Sequence, residues 1–198
     1  MKIGLLGDLH GDQVQKFPEI ERYLAISEPD LCLQVGDYWT PISWPIPVFW
    51  IPGNHEKSVS QIKSGEIVEP LNSRILETGI LEFGGIRILA LEAIPNPSFA
   101  PGPVNYQAEH LEFCMAQRDI DIFLSHSPGF PFFGYGPQGL GFMDFQDHNI
   151  TAILENVKPK YAVSGHIHQY KKEKSQGITL IRLGSVHNST QFYDMIEL

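Results

Sequence analysis

Five short apolar runs in this chain of 198 residues each stop abruptly at polar residues, and that rhythm limits the possible folds more than any other feature. Lys2–Gly7 ends at Asp8, and Asp30–Val35 at Gly36-Asp37. Val48–Ile51 ends at Pro52-Gly53-Asn54-His55, Asp121–Leu124 at Ser125-His126, and Tyr161–Val163 at Ser164-Gly165-His166. The runs are continuously apolar instead of alternating, the pattern of strands buried on both faces. Helices are predicted between them over Gln13–Ser27, Glu56–Ser64, Gln107–Arg118 and Phe145–Asn156. Ile75–Glu92 reads as strands around a glycine turn at Phe83-Gly84-Gly85. Ile178–Val186 and Gln191–Leu198 read as a closing pair of strands. Strand–helix alternation followed by an antiparallel close predicts one mixed-sheet α/β domain over residues 1–198. In open α/β sheets ligands sit beyond the carboxyl ends of the strands, where the polar clusters fall.

Composition narrows the function. Fourteen Lys+Arg against 23 Asp+Glu leave a net charge of −9, which disfavours a sequence-independent nucleic-acid coat protein. Bound metal ions can still invert the local sign for a phosphate. An apolar share of 42% with 19% charged residues belongs to a soluble globular protein. Cys32 and Cys114 are too few for a disulfide framework, and each lies in an apolar stretch that predicts a buried small hydrophobe. Met1-Lys2 runs straight into Ile3-Gly4-Leu5-Leu6, too short for a signal-peptide core, and Pro or charge breaks every longer apolar run. A cytoplasmic protein without a membrane partner is expected.

Taken singly, Asp8-Leu9-His10, Asp37, Asn54-His55, His126 and His166-Ile167-His168 carry little weight, since a lone Asp after a strand is ordinarily a cap and a lone His a satisfied polar residue. Together they deliver aspartates, an asparagine and five histidines to one sheet edge. Carboxylates and imidazoles crowded there would repel or lose solvation, and divalent cations resolve that conflict. A mixed carboxylate, amide and imidazole set suits Mn²⁺, Fe²⁺ or Zn²⁺ better than Mg²⁺ or Ca²⁺. Seven candidate ligands exceed the needs of one ion, so two ions sharing a carboxylate is the economical answer.

The order GDLH (7–10), GD (36–37), GNHE (53–56), SH (125–126) and GHIH (165–168) resembles the calcineurin-like metallophosphoesterase superfamily from Gly7 to His168. The resemblance implies an α/β fold built as a four-layer α-β-β-α sandwich, with two mixed β-sheets and a dinuclear metal site at the carboxyl ends of the strands. By matching motifs, Asp8, His10 and His168 would hold one metal, Asn54, His126 and His166 the other, and Asp37 would bridge. His55 would be the catalytic histidine. The implied cofactors are two divalent ions, Mn²⁺ ahead of Fe²⁺, Zn²⁺ or Ni²⁺. The implied enzyme is a phosphoesterase in which a metal-bridging hydroxide attacks phosphorus and His55 protonates the leaving group.

No Arg or Lys falls within the motifs and only Lys57 is adjacent, so phosphodiesters are favoured over dianionic monoesters. The substrate is a phosphate ester: a small molecule, a nucleotide or a nucleic-acid end. The alternatives are a nucleotide, dinucleoside-polyphosphate or monoester phosphatase, and a non-enzymatic scaffold on the same fold, which the intact ligand set disfavours.

Departures from the family pattern matter too. Tyr38-Trp39-Thr40-Pro41 follows Asp37, so the phosphate-gripping arginine of the protein serine/threonine phosphatase branch is absent. GNHE, Gly79–Ala90 and DIFLSHSP (121–128) resemble the lariat-debranching branch locally, but the chain has Asp8 where that branch commonly has Cys and lacks its long C-terminal extension. The stretch 38–47 is read either as an aromatic wall for a base or aryl group or as packing of Trp39 and Trp44. The irregular stretch 127–141, which includes Phe130, is read as a flap or a self-packed loop. Glu56 reads either as a capping or orienting group or as a solvated carboxylate at a helix start, His110 as a helix-surface residue, Asp147-His148 as a polar helix face, and His187 as a residue that could edge the pocket.

Overall fold

The computed structural model describes every residue except 12, 40, 41, 57, 58, 67, 97–102, 131, 136–141 and 188–190. Its elements are β1 (Lys2–Leu6), α1 (Gln13–Ser27), β2 (Leu31–Gln34), β3 (Val48–Trp50), α2 (Val59–Lys63), β4 (Ser73–Ile75), β5 (Gly79–Phe83), β6 (Ile86–Leu91) and α3 (Ala108–Met115). They continue as β7 (Ile122–Ser125), β8 (Phe132–Tyr135), β9 (Phe142–Phe145), α4 (His148–Val157), β10 (Tyr161–Ser164), β11 (Lys171–Ser175), β12 (Ile178–Arg182) and β13 (Tyr193–Glu197). One sheet has the order β13-β1-β2-β3-β4 and the other β11-β12-β10-β7-β6-β5. Both are mixed: β1 to β4 run parallel with β13 antiparallel, and β6, β7, β10 and β12 run parallel between antiparallel edges.

The continuous apolar runs follow from burial on both faces, because successive side chains on a strand point opposite ways. Ile3 and Leu5 of β1 and Leu33 of β2 face inward, meeting Ile88, Ile122, Leu124 and Val163 of the second sheet. Leu6 and Cys32 face outward, where Ile20 and Leu24 of α1 cover them. On the other side Phe123 and Leu180 face outward against Ile150, Ile153 and Leu154 of α4 and Cys114 of α3. Each such aliphatic side chain contributes about 1.5–3 kcal/mol by leaving water. The result is four layers, α-β-β-α. Both thiols are fully buried, with burial raising Cys114 to about 12 and Cys32 further still.

Several boundaries differ from the sequence reading. The expected closing pair, Ile178–Val186 with Gln191–Leu198, is divided between the sheets: β12 lies parallel to β10, while β13 lies antiparallel to β1. The chain crosses between them at Leu183–Val186, where Leu183 N donates to Ser164 O and Val186 N to Asp8 O. Helix α4 starts at His148 instead of Phe145 because Asp147 caps it, accepting from Asn149 N and Ile150 N. Within 127–141, Phe130 is core and β8 pairs with β9 as a ribbon, while residues 131 and 136–141 lie outside the described residues. The hairpin at Gly84-Gly85 forms where expected, with both residues at positive φ between paired Phe83 and Ile86. Among the described residues no helix is long and apolar enough to cross a membrane.

Candidate metal centre

Because β1, β2 and β3 run parallel in one sheet and β7 and β10 in the other, their carboxyl ends can share one edge. Asp8 and His10 follow β1, Asp37 follows β2, and Asn54 with His55 follows β3. From the second sheet His126 follows β7, and His166 and His168 follow β10. Backbone hydrogen bonds sew these ends together: His10 N donates to Asp37 O at 2.8 Å and Gly165 N to His126 O at 2.9 Å.

Asp8, His10, Asp37 and His168 converge most tightly, with ligand atoms all within 4.8 Å of one another. His10 Nε2 lies 2.9 Å from His168 Nε2, and His168 Nε2 3.2 Å from Asp8 Oδ2. Beside them His126 Nε2 is 3.5 Å from Asp37 Oδ2 and 2.9 Å from Asn54 Oδ1. His166 joins through its ring, 5.1 Å from that of His126, and its backbone N donates to Asp8 Oδ2. All eight sequence-predicted site residues therefore lie at this edge.

Two features suit the set to divalent cations. Asp8 and Asp37 are 0% and 1% exposed, yet Asp8 Oδ1 and Asp37 Oδ2 have no hydrogen-bond partner. A buried carboxylate oxygen in that state is costly unless a cation meets it. His126 Nδ1 is 2.7 Å from the carbonyl of Val35, which can only accept, so Nδ1 carries the proton and Nε2 faces Asp37 and Asn54. An imidazole oriented through its far nitrogen in this way is the usual support of a metal ligand.

Protons partly offset the negative charge in the metal-free protein. Burial opposes charge on His126, but the Asp37 carboxylate lifts it to about 9. Burial likewise opposes His168, which Asp8 nevertheless raises. Burial and the neighbouring His126 push His166 down to about 3, and burial outweighs Asp8 and Asp37 to lower His10. Asp37 resists its own burial and, facing His126 and His10, sits well below the usual carboxylate range.

The backbone is strained here. His10, Asp37, Trp39, His166 and His168 all have φ between 48° and 68°, a conformation that non-glycine residues adopt rarely and that collects at functional sites. Close approach also demands glycine: a Cβ on Gly165 would lie 2.1 Å from Asp8 Oδ1, and one on Gly53 would lie 2.3 Å from Asp37 Oδ1.

Glu56 is an orienting group and not the solvated carboxylate that was its other reading. It is buried, and α2 is described from Val59 onward. Its carboxylate accepts from Tyr38 N at 2.6 Å, Trp39 N at 2.9 Å and Gly53 N at 3.4 Å. Burial and the Asp37 charge push it up to about 8 against the pull of those amides. Sequence leaves its two readings undivided, because a motif carboxylate before a short helix looks the same whether solvated or buried. His110 is not a plain surface residue either, as its Nδ1 lies 3.6 Å from the buried Glu92. His187 does edge the site, its ring 5.6 Å from that of His10. The aromatic stretch splits: Tyr38 and Trp44 are core, with Trp44 Nε1 donating to the Tyr38 hydroxyl, while Trp39 is half-buried edge-on to His10.

A family model described as calcineurin-like phosphoesterase matches residues 1–170. A search of curated protein sequences finds no match. Among solved structures, a dimetal phosphatase from Danio rerio superposes with a TM-score of 0.65 at 12% identity, covering 100% of this chain and 92% of that one. The phosphopantetheinyl hydrolase of Mycobacterium tuberculosis gives 0.56 at 13% identity, covering 98% and 95%. GAP50, the anchor in the inner membrane complex of Plasmodium, gives 0.57 at 10% identity, covering 98% and 78%. At these identities the likeness is one of fold.

Proposed function

From the fact that this chain belongs to the calcineurin-like phosphoesterase family, we propose that it is a dinuclear-metal hydrolase of phosphate esters that favours diesters. Asp8, His10 and His168 would hold one divalent ion, Asn54, His126 and His166 the other, and Asp37 would be shared, with Mn²⁺ the preferred metal. The observation that carries this reading is the pair of buried, unpartnered carboxylate oxygens, Asp8 Oδ1 and Asp37 Oδ2, set among imidazoles. When bound, two such ions supply the positive charge that draws in a phosphate ester and the acidity that readies a water for attack.

The chain's own groups then complete the reaction. Asp37 Oδ1 accepts His55 N at 2.8 Å, fixing the turn, and the His55 ring stands 6.0 Å from that of His10. From that position its imidazole hands a proton to the departing oxygen, a contribution worth about 10²–10⁴-fold in rate. Asp37, shared between cations, is unsuited to give a proton. The diester preference rests on charge, since the motifs hold neither Arg nor Lys and Lys63 is already engaged by Glu92 at 2.8 Å and Glu77 at 3.5 Å. Pairing of β13 with β1 supports one working unit over residues 1–198. The buried thiols Cys32 and Cys114 fit a reducing cytoplasm.

The test is to strip the protein with chelator and assay bis-p-nitrophenyl phosphate against p-nitrophenyl phosphate while adding back Mn²⁺, Mg²⁺, Zn²⁺ or Ni²⁺. Metal-restored turnover favouring the diester is expected, with Mn²⁺ the most effective. A monoester preference would move the substrate to nucleotides and small phosphates, and no turnover with any ion would overturn the reading. His55→Ala should keep both metals and lose at least a hundredfold in kcat; loss of metal would reassign His55 to the ligand set.

A further inference from the structure

Trp39 is strained as the candidate ligands are, with φ at +68°, yet it is the one residue of that strained group with no atom suited to a metal. For so bulky a side chain the left-handed region is a genuine outlier. The fold holds it there deliberately. The Glu56 carboxylate grips Trp39 N at 2.9 Å and Tyr38 N at 2.6 Å. The indole passes so close to Gly11 that a Cβ there would lie 2.6 Å from Trp39 Cε3. Its neighbours have gone the other way, Tyr38 being 0% and Trp44 3% exposed in the core. One aromatic of the three is thus left half-buried against the candidate ligands, with its ring centroid 5.8 Å from that of His10 and the planes at 89°.

Position decides what that ring can meet. The loop carrying Trp39 and the turn carrying His55 are tied into one unit, through His55 N to Asp37 Oδ1 and through Glu56 to Trp39 N and Gly53 N. Both rings border His10, at 5.8 and 6.0 Å. A proton donor to the leaving group must stand beside that group, so a leaving group served by His55 would lie close to the His10 ring that the indole also borders. A flat π system stacks well on an indole, whatever its substituents, whereas a short alkyl group gains little there. Resting on the phosphoesterase reading above, we infer that Trp39 is the platform for the leaving group, so that the preferred substrates are phosphate esters whose departing alcohol carries an aryl ring or a nucleobase.

The experiment uses the Mn²⁺-loaded protein and competitive inhibition of bis-p-nitrophenyl phosphate turnover by inorganic phosphate, propyl phosphate, phenyl phosphate and adenosine monophosphate. Wild type should bind phenyl phosphate more tightly than propyl phosphate, which carries the same charge. In Trp39→Ala the ratio of the inhibition constant for phenyl phosphate to that for inorganic phosphate should rise about tenfold, with Trp39→Phe recovering most of the loss. A ratio unchanged within twofold in a metal-loaded Trp39→Ala overturns the inference. So does equal binding of phenyl and propyl phosphates by wild type, which needs no variant to fold. A larger effect on adenosine monophosphate than on phenyl phosphate identifies the nucleobase as the source of the π face, and the reverse order a simple aryl group. A wild type that turns over no ester fails at the phosphoesterase reading, before Trp39 is tested.

Discussion

At the amino edge of the second sheet, just before β7, Asp121 accepts Arg87 N at 2.9 Å and Lys160 Nζ at 2.7 Å. At the carboxyl edge of the first sheet, just past β2, Asp37 is buried with one oxygen unpartnered and imidazoles for neighbours. Both carboxyls titrate below the usual range, for different reasons. Asp121 overcomes a burial penalty through a backbone amide and an exposed ammonium, whereas Asp37 overcomes its own through His126 and His10, themselves buried. The glycines divide the same way. A Cβ on Gly177, in the Gln176-Gly177 turn at the amino edge, would meet nothing within 4 Å, while one on Gly165 would strike Asp8. Positive φ at non-glycine residues occurs at both edges, at Asp119, Lys158 and Gln176 before β7, β10 and β12 as well as at the candidate ligands, so the difference is one of charge: Asp121 is satisfied by its partners, while Asp8 Oδ1 and Asp37 Oδ2 are buried without a hydrogen bond.

Asp37→Asn should separate the two edges most strongly. The amide can still accept from His55 N, so the metal-free fold should stay within about 1 kcal/mol of wild type at pH 8, where His126 freed of its carboxylate is neutral. What should disappear is the rise in Tm on adding Mn²⁺, which for wild type at a hundredfold excess over Kd corresponds to about 2.7 kcal/mol. Calorimetry with and without chelator, alongside metal content, measures both. A metal-free variant that is badly destabilised would show that Asp37 is structural, as Asp121 is.

The two edges also differed in how well they could be read from sequence. Polar residues at the carboxyl edge interrupt apolar strands, so Asp8, Asp37, Asn54, His126 and His166 were visible as breaks in a pattern, and Gly84-Gly85 announced its hairpin. Strand β11 was not visible: Lys171–Ser175 contains no apolar residue, and as an edge strand it buries little side chain, so periodicity had nothing to register. The partner of β13 was equally hidden, because pairing with β1 is a contact between the two ends of the chain. For Glu56 and Trp39 sequence leaves two readings each, since a clasp and a strained rotation about φ exist only once the loops are folded.

A smaller effect separates two identical substitutions. Gly165→Ala places a methyl 2.1 Å from Asp8 Oδ1 and 2.6 Å from Val35 Cγ2, so the carboxylate must swing away. Metal affinity should fall about 10–100-fold, with about 1–3 kcal/mol of stability lost to overpacking. Gly177→Ala meets open space at φ +85° and should cost about 1 kcal/mol from backbone strain alone, with metal affinity intact. Titration of both variants with Mn²⁺ distinguishes them, and equal affinities would remove the close approach at Gly165 as a reason for its glycine.

Asp121→Asn should have the smallest effect and gives the clearest sign. Removing the charge leaves an acceptor for Arg87 N but weakens the contact with Lys160, whose side chain is 68% exposed and screened by solvent. A loss of about 1 kcal/mol, or roughly 2–4 °C in Tm, is expected at pH 7. Asp121 ionises at lower pH when folded than when unfolded, so the stability it confers is present above the unfolded value near 3.9 and is lost as pH falls through the folded one. The Tm gap between wild type and variant should therefore hold from pH 7 to about 5, close towards pH 3, and narrow in high salt at pH 7. A gap that persists at pH 2.5 would mean that shape, not charge, sets the amino edge. The Mn²⁺-induced rise in Tm, governed by the opposite edge, should not change.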